Sequence, residues 1–129
     1  MGLDQSIIRL HGDEREEVAY FRKVNFLHLW VETNLFDGQS SNCDDIPLSL
    51  EAMAGLMKTC YRVLDNPSSI GPELLPTTAG FFFGGTEYDE WYAQDVQDVL
   101  TALVKILAEE QVRHEAGERP GQYVYWSWW

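Results

Sequence analysis

Basic residues are scarce in this chain of 129 residues: nine Lys and Arg stand against 21 Asp and Glu, a formal net charge of −12. Between Arg62 and Lys105 there is no base, while Asp65, Glu73, Glu87, Asp89, Glu90, Asp95 and Asp98 all fall there. A second base-free stretch, between Lys23 and Lys58, holds Glu32, Asp37, Asp44, Asp45 and Glu51. Phosphate backbones are gripped by clustered Lys and Arg, so this balance argues against direct nucleic-acid binding. An anionic membrane would repel the same surface. The partner such a chain attracts is a basic protein or nucleoprotein complex. The plainer reading is that the acids serve solubility alone.

Cysteine is nearly absent as well. Cys43 and Cys60 are too few for a disulfide framework and suit a reducing compartment. No apolar run approaches the roughly 20 residues that span a bilayer. The opening Met1-Gly2-Leu3-Asp4-Gln5 lacks the charged and apolar regions of a secretion signal, so the cytoplasm is the expected address. No glycine-rich loop leads into Lys-Ser or Lys-Thr, which argues against a phosphate-binding nucleotide loop. No Gly-x-Ser-x-Gly elbow appears either. Neither a cofactor nor a metal is expected.

What the chain has in quantity is apolar and aromatic surface, 45% and 13% of its residues, enough for the core of one ordinary domain. Leu3 to His11, with Ile7-Ile8 and a closing Gly12, reads as a short strand. From Asp13 the spacing of Tyr20, Val24, Leu27 and Val31 predicts a helix, widened by Phe21, His28 and Leu35. Asp13 is its expected N-cap, with Glu14, Glu16 and Glu17 near its positive end. Asn34 to Pro47 reads as a polar loop with a turn at Asp37-Gly38. A second helix is predicted from Ser49 to Asp65 on Leu50, Met53, Met57, Cys60 and Leu64, broken by Asn66-Pro67-Ser68-Ser69. Gly71 to Thr78 reads as another loop. Gly80 to Gly85, enclosing Phe81-Phe82-Phe83, reads as a buried strand or an anchored loop.

A third helix is expected from Thr86 to Glu110 or beyond, with Tyr92, Val96, Val99, Leu103 and Ile106 turned inward. Alternating aromatic and β-branched residues mark Gln122 to Trp129 as a strand, with the N-terminal strand its natural partner. The expectation is one α+β domain over residues 1–129, about three helices packed on a small antiparallel sheet containing both chain ends.

Several segments together resemble a family of small proteins encoded by bacteriophages and prophages. They are Met1-Gly2-Leu3-Asp4, Glu17-Val18-Ala19-Tyr20-Phe21-Arg22-Lys23, Asn42-Cys43, Gly80-Phe-Phe-Phe-Gly-Gly-Thr-Glu-Tyr-Asp-Glu-Trp-Tyr92 and the aromatic end. The resemblance spans almost the whole chain, and Gly80 to Tyr92 is its most specific part. It implies an origin, an accessory phage gene acting in a bacterial host cell, rather than a mechanism. No catalytic residue is carried over from it.

Each constellation with chemical potential has a structural competitor. Gly84-Gly85-Thr86 before a helix can cradle an anion on backbone N–H groups. Glu87, Asp89 and Glu90 would repel phosphate there, and Thr86 with Asp89 reads as a capping pair. His28 reads as a hydrogen-bonded core residue, which Cys43 would meet only by tertiary accident. Glu110 and His114, four apart, offer two metal ligands without a third and read better as a salt-bridged helix end. Asp44 and Asp45 read as polar loop.

The strongest candidate surface is Glu87-Tyr88-Asp89-Glu90-Trp91, continued by Asp95 and Asp98. Aromatic anchors within a charged rim suit protein recognition. Glu87, Tyr88, Asp89, Glu90, Trp91, Asp95 and Asp98 are therefore the expected partner-binding residues, and no residue is expected to be catalytic. The plainer alternative is a helix start whose aromatics close the core. Three function classes remain. One is a non-catalytic inhibitor of a host protein, such as an anti-CRISPR or other anti-defence factor, whose acidic surface occludes a nucleic-acid-binding site. The others are a small enzyme using carboxylate, His or Cys, and a virion or assembly component.

Overall fold

In the computed structural model, which describes residues 2–80 and 83–129, Gly12 turns the chain at φ +60. It joins two antiparallel strands, β1 (Asp4–His11) and β2 (Glu14–Arg22). The helix expected from Asp13 is thus a strand in its first half, and α1 (Asn25–Leu35) forms only the second. Pairing along β1 outweighs the local helical spacing, and the charges fit the hairpin better. On a helix Asp13, Glu16 and Glu17 would stand three and four apart and repel. On the hairpin Glu16 lies opposite Arg9 and Glu14 opposite His11, and His11 Nε2 comes within 2.9 Å of Glu16 Oε1. Val18 is the extra residue of a bulge between the Ile7–Ala19 and Ile8–Glu17 pairs.

The last strand, β4 (Gln122–Trp128), pairs with the other edge of β1, Asp4 opposite Trp128 and Leu10 opposite Gln122. Both chain ends share one sheet, as their patterning implies. Within the stretch expected to be loop, β3 (Ile46–Pro47) adds two residues beside Tyr125 and Val124, giving the antiparallel order β2-β1-β4-β3. Strand alternation sorts the faces. Ile7, Phe21, Tyr123 and Tyr125 enter the core with the helices. Tyr20 and Trp128 lie on the other face, 52% and 55% exposed, so helices cover the aromatic tail on one side only.

Ser49 caps α2 (Leu50–Asp65), its Oγ accepting from Ala52 N at 3.0 Å, and Met53, Leu56, Cys60 and Val63 are its buried residues. Asn66 ends α2 through its N–H to Val63 O and starts α3 (Pro67–Leu74). Pro67 costs nothing at a first helical position, where the N–H would be unpaired anyway. The loop expected from Gly71 is therefore helical as far as Leu74, which makes four helices among the described residues rather than three. The longest helix, α4 (Glu90–Glu115), buries all five expected inner residues, Tyr92, Val96, Val99, Leu103 and Ile106. At about 1.5–3 kcal/mol per large apolar side chain, this face is a main source of tertiary stability. No helix of the described residues is long and apolar enough to cross a membrane.

Candidate functional site

The start of α4 lies later than expected. Asp89, not Thr86, is its N-cap, accepting from Trp91 N at 3.1 Å and Tyr92 N at 3.0 Å. Thr86 stays in the preceding loop, its carbonyl accepting from Thr77 Oγ1 at 2.8 Å. Tyr88 turns inward: its hydroxyl accepts from Thr77 N at 3.0 Å, and its ring meets Tyr92 edge-on at 4.9 Å. Tyr92 in turn donates to Leu75 O at 2.8 Å. Of the two aromatics expected as anchors, Tyr88 is thus half-buried packing, while Trp91 is 73% exposed.

Buried Asn25, at the start of α1, fixes the loop that leads into α4. Its Nδ2 donates to Phe83 O at 3.1 Å and Gly85 O at 2.7 Å, and its Oδ1 accepts from Thr78 N at 3.1 Å. Phe81 and Phe82 lie outside the described residues, while Phe83 is buried in an anchored loop. Gly84, at φ +83, passes so close to Lys23 that a Cβ would stand 3.2 Å from the Lys23 Cβ. Glycine satisfies both demands at once.

These contacts shape a groove of about 540 Å³ lined on one side by Glu87, Asp89, Trp91 and Asp95. Arg22 and Lys23, from the end of β2, line it too. A second groove, about 510 Å³, continues along β2 and takes in Asp95, Asp98 and Lys105. Of the seven expected residues, four share the first groove, Asp98 lines the second, and exposed Glu90 and half-buried Tyr88 line neither. Sequence reasoning missed Arg22 and Lys23 because they lie more than sixty residues from the acidic stretch. The bonds of Asn25 to Phe83 O and Gly85 O and the close approach of Gly84 to Lys23 bring them near. No local sequence signal marks the approach; the positive φ of Lys23, +58, and of Gly84, +83, is visible only in the fold. Asp95 is half-buried, and burial, with like-charge repulsion from Asp98 and Asp89, pushes its carboxyl up to about 6. Asp98 is exposed and accepts from Gln94 Nε2 at 2.9 Å.

The other constellations are structural. His28 is fully buried, its Nδ1 2.8 Å from the Tyr125 hydroxyl, with the Phe83 and Trp129 rings edge-on to it. Its Nε2 stands 3.0 Å from Glu32 Oε2, but without hydrogen-bonding geometry, so this is a close contact rather than a bond. Burial, partly opposed by Glu32, holds the imidazole pKa below its usual value. Cys43 is exposed and its thiol meets Asn42, not His28. Glu110 accepts from the Tyr123 hydroxyl at 2.5 Å, Gly121 N at 3.0 Å and Arg113 Nη1 at 3.1 Å. Burial would raise its pKa, yet these bonds and the nearby Arg9 bring it below the usual value. It closes a salt-bridged helix end, and His114 is exposed beside it. Asp45 forms a two-bond pair with Arg15, at 2.7 and 2.9 Å. Among the described residues no group of three or more His, Cys, Asp or Glu is placed to hold a metal ion.

Comparison with protein-family models, with curated proteins and with solved structures finds no match to this chain.

Proposed function

We propose that this chain is a non-catalytic phage accessory protein that binds and inhibits a basic host protein or nucleoprotein complex, as an anti-CRISPR or other anti-defence factor would. Its acidic surface covers the partner's nucleic-acid-binding site. The observation that carries this reading is the groove shared by Glu87, Asp89, Asp95 and the 73%-exposed Trp91. A large aromatic rimmed by carboxylates supplies contact area, and the charges select the partner. The net charge of −12 acts in the same direction at longer range.

The test is affinity capture from bacterial lysate with the intact chain, Trp91→Ala and Glu87→Lys. Basic proteins released by rising salt, and lost with both variants, are the expected result. Capture that neither variant changes would remove the proposed site. The exposed Tyr20 and Trp128 favour a second reading, an assembly component that associates through its open sheet face. Concentration-dependent sedimentation of the isolated chain, abolished by Trp128→Ser, would favour it.

A further inference from the structure

Strand β2 stands at the end of the sheet order β2-β1-β4-β3, so among the described residues one of its edges has no strand beside it. Exposed edges invite pairing, and proteins blunt them with charges and bulges. Here those devices occupy the first half of the strand: Glu14, Arg15, Glu16 and Glu17, then the bulge at Val18. From Ala19 to Arg22, along the groove, only Arg22 is charged. Lys23 N donates to Leu3 O at 2.7 Å, which makes that facing pair a hydrogen-bonded one. By alternation Phe21 and Ala19 turn their backbone groups to β1, while Tyr20 and Arg22 turn theirs outward. Among the described residues no hydrogen bond reaches those outward groups.

Across the groove, α4 presents a matching stripe. Trp91, Asp95, Asp98, Ala102 and Lys105 recur at steps of four and three, one face of a helix. The last four line the groove with Val18, Ala19, Tyr20, Phe21 and Arg22. Asp95 to Lys105 is about 15 Å of helix, and a strand rising about 3.3 Å per residue covers it in four or five residues. Arg22 alternates to the opposite sheet face, in the row of Asp4 and Trp128, and forms no ion pair with Asp95 or Asp98. Neither acid is ion-paired, although Lys105 lines the same groove.

We propose that the Ala19–Arg22 edge of β2 takes an extended, basic segment of a partner protein as a fifth strand, its helix-side Lys or Arg residues lying against Asp95 and Asp98. Main-chain bonds to Tyr20 and Arg22 supply affinity, and the acids choose the side chains. The inference rests on reading the start of α4 as partner-binding, and it adds the shape and chemistry of what binds.

The experiment selects binders of the intact chain from a displayed library of random ten-residue peptides. Hydrogen exchange then follows the Tyr20 and Arg22 amides with one synthetic selected peptide. The expected peptides carry Lys or Arg at alternate positions, and binding slows both amides at least tenfold. Ala19 and Phe21, already paired with β1, change little. Methylating the peptide nitrogens that face β2 is expected to lower affinity at least tenfold without altering the protein.

A selection without binders, or without alternating bases, overturns the proposal. So does a complex in which Tyr20 and Arg22 exchange freely. If that complex is lost with Trp91→Ala, the binding function stands and only strand addition falls. Protection of the same amides by raising the concentration of the chain alone would assign the edge to a second copy, and would also overturn it.

Discussion

The Tyr125 hydroxyl stands 2.8 Å from His28 Nδ1 and 3.0 Å from Gln5 Nε2, so the last strand completes a polar chain through the interior. Gln5 carries the chain on to both the carbonyl and the N–H of Val24. Tyr125→Phe removes the hydroxyl and leaves buried His28 Nδ1 unpaired. A stranded buried polar group costs about 1–3 kcal/mol, and denaturant titration is expected to show a loss of that size. His28 adds a pH dependence. Its native pKa lies below its unfolded value, so this contribution is complete above about pH 6.5 and is lost as pH falls below it.

Asp95 works in the opposite direction. Its carboxyl binds a proton at about 6 in the fold, against an ordinary aspartate value of 3.8. The native state therefore holds the proton more tightly, and this group adds stability as pH falls from 7 towards 4. Asp95→Asn removes the cost of a half-buried charge. After allowance for solvent screening, a gain of about 1 kcal/mol at pH 7 is expected, fading towards pH 4. Melting curves from pH 7 to 5 should also fall more steeply in this variant, because the His28 contribution is no longer offset. An identical pH profile for the two proteins would contradict the assignment.

Cutting the chain before Tyr123 strips β1 of one neighbour and removes buried Tyr123, Val124 and Tyr125. At about 1.5–3 kcal/mol for each large apolar side chain, this approaches the 5–15 kcal/mol that typically holds a domain. Glu110 also loses its shortest bond. No cooperative thermal transition is expected from the truncated chain. A sharp melt near the full-length temperature would show that β4 is an ornament to the fold.

Where one pattern dominated, the sequence was readable. The stripes of α2 and α4 and the alternation of β4 each had a single period, and each element formed within a few residues of its expected bounds. Glu14 to Arg22 was misread because Tyr20 and Val24 continue the helical spacing of α1 backwards into a strand. What decided the outcome was pairing with β1, which lies outside any local window. The site shows the same limit. The placement of Trp91 and Asp95 on one helix was legible, while the exposure of Trp91 stood open between surface anchor and core. The inward turn of Tyr88 depends on Thr77, and the grooves depend on β2.

Exposed carboxylates around Trp91 should govern how fast a partner arrives, and Trp91 how long it stays. Glu87 and Asp98 are both exposed, so reversing each to Lys should cost within about 0.5 kcal/mol of stability. Reversing half-buried Asp95 would instead mix a folding effect into the measurement, which makes the exposed pair the cleaner variant. In about 0.15 M salt the screening length is roughly 8 Å, so steering acts at close approach and weakens as salt rises. Against a basic protein captured as above, the double reversal is expected to slow association about tenfold at low salt. The difference should shrink as salt approaches 0.5 M, while dissociation stays nearly constant. Trp91→Ala should do the reverse: it leaves association and melting temperature almost unchanged, because the ring is 73% exposed, and it speeds dissociation. An association rate indifferent to the double reversal, in protein shown to be folded, would mean that the acids serve solubility alone.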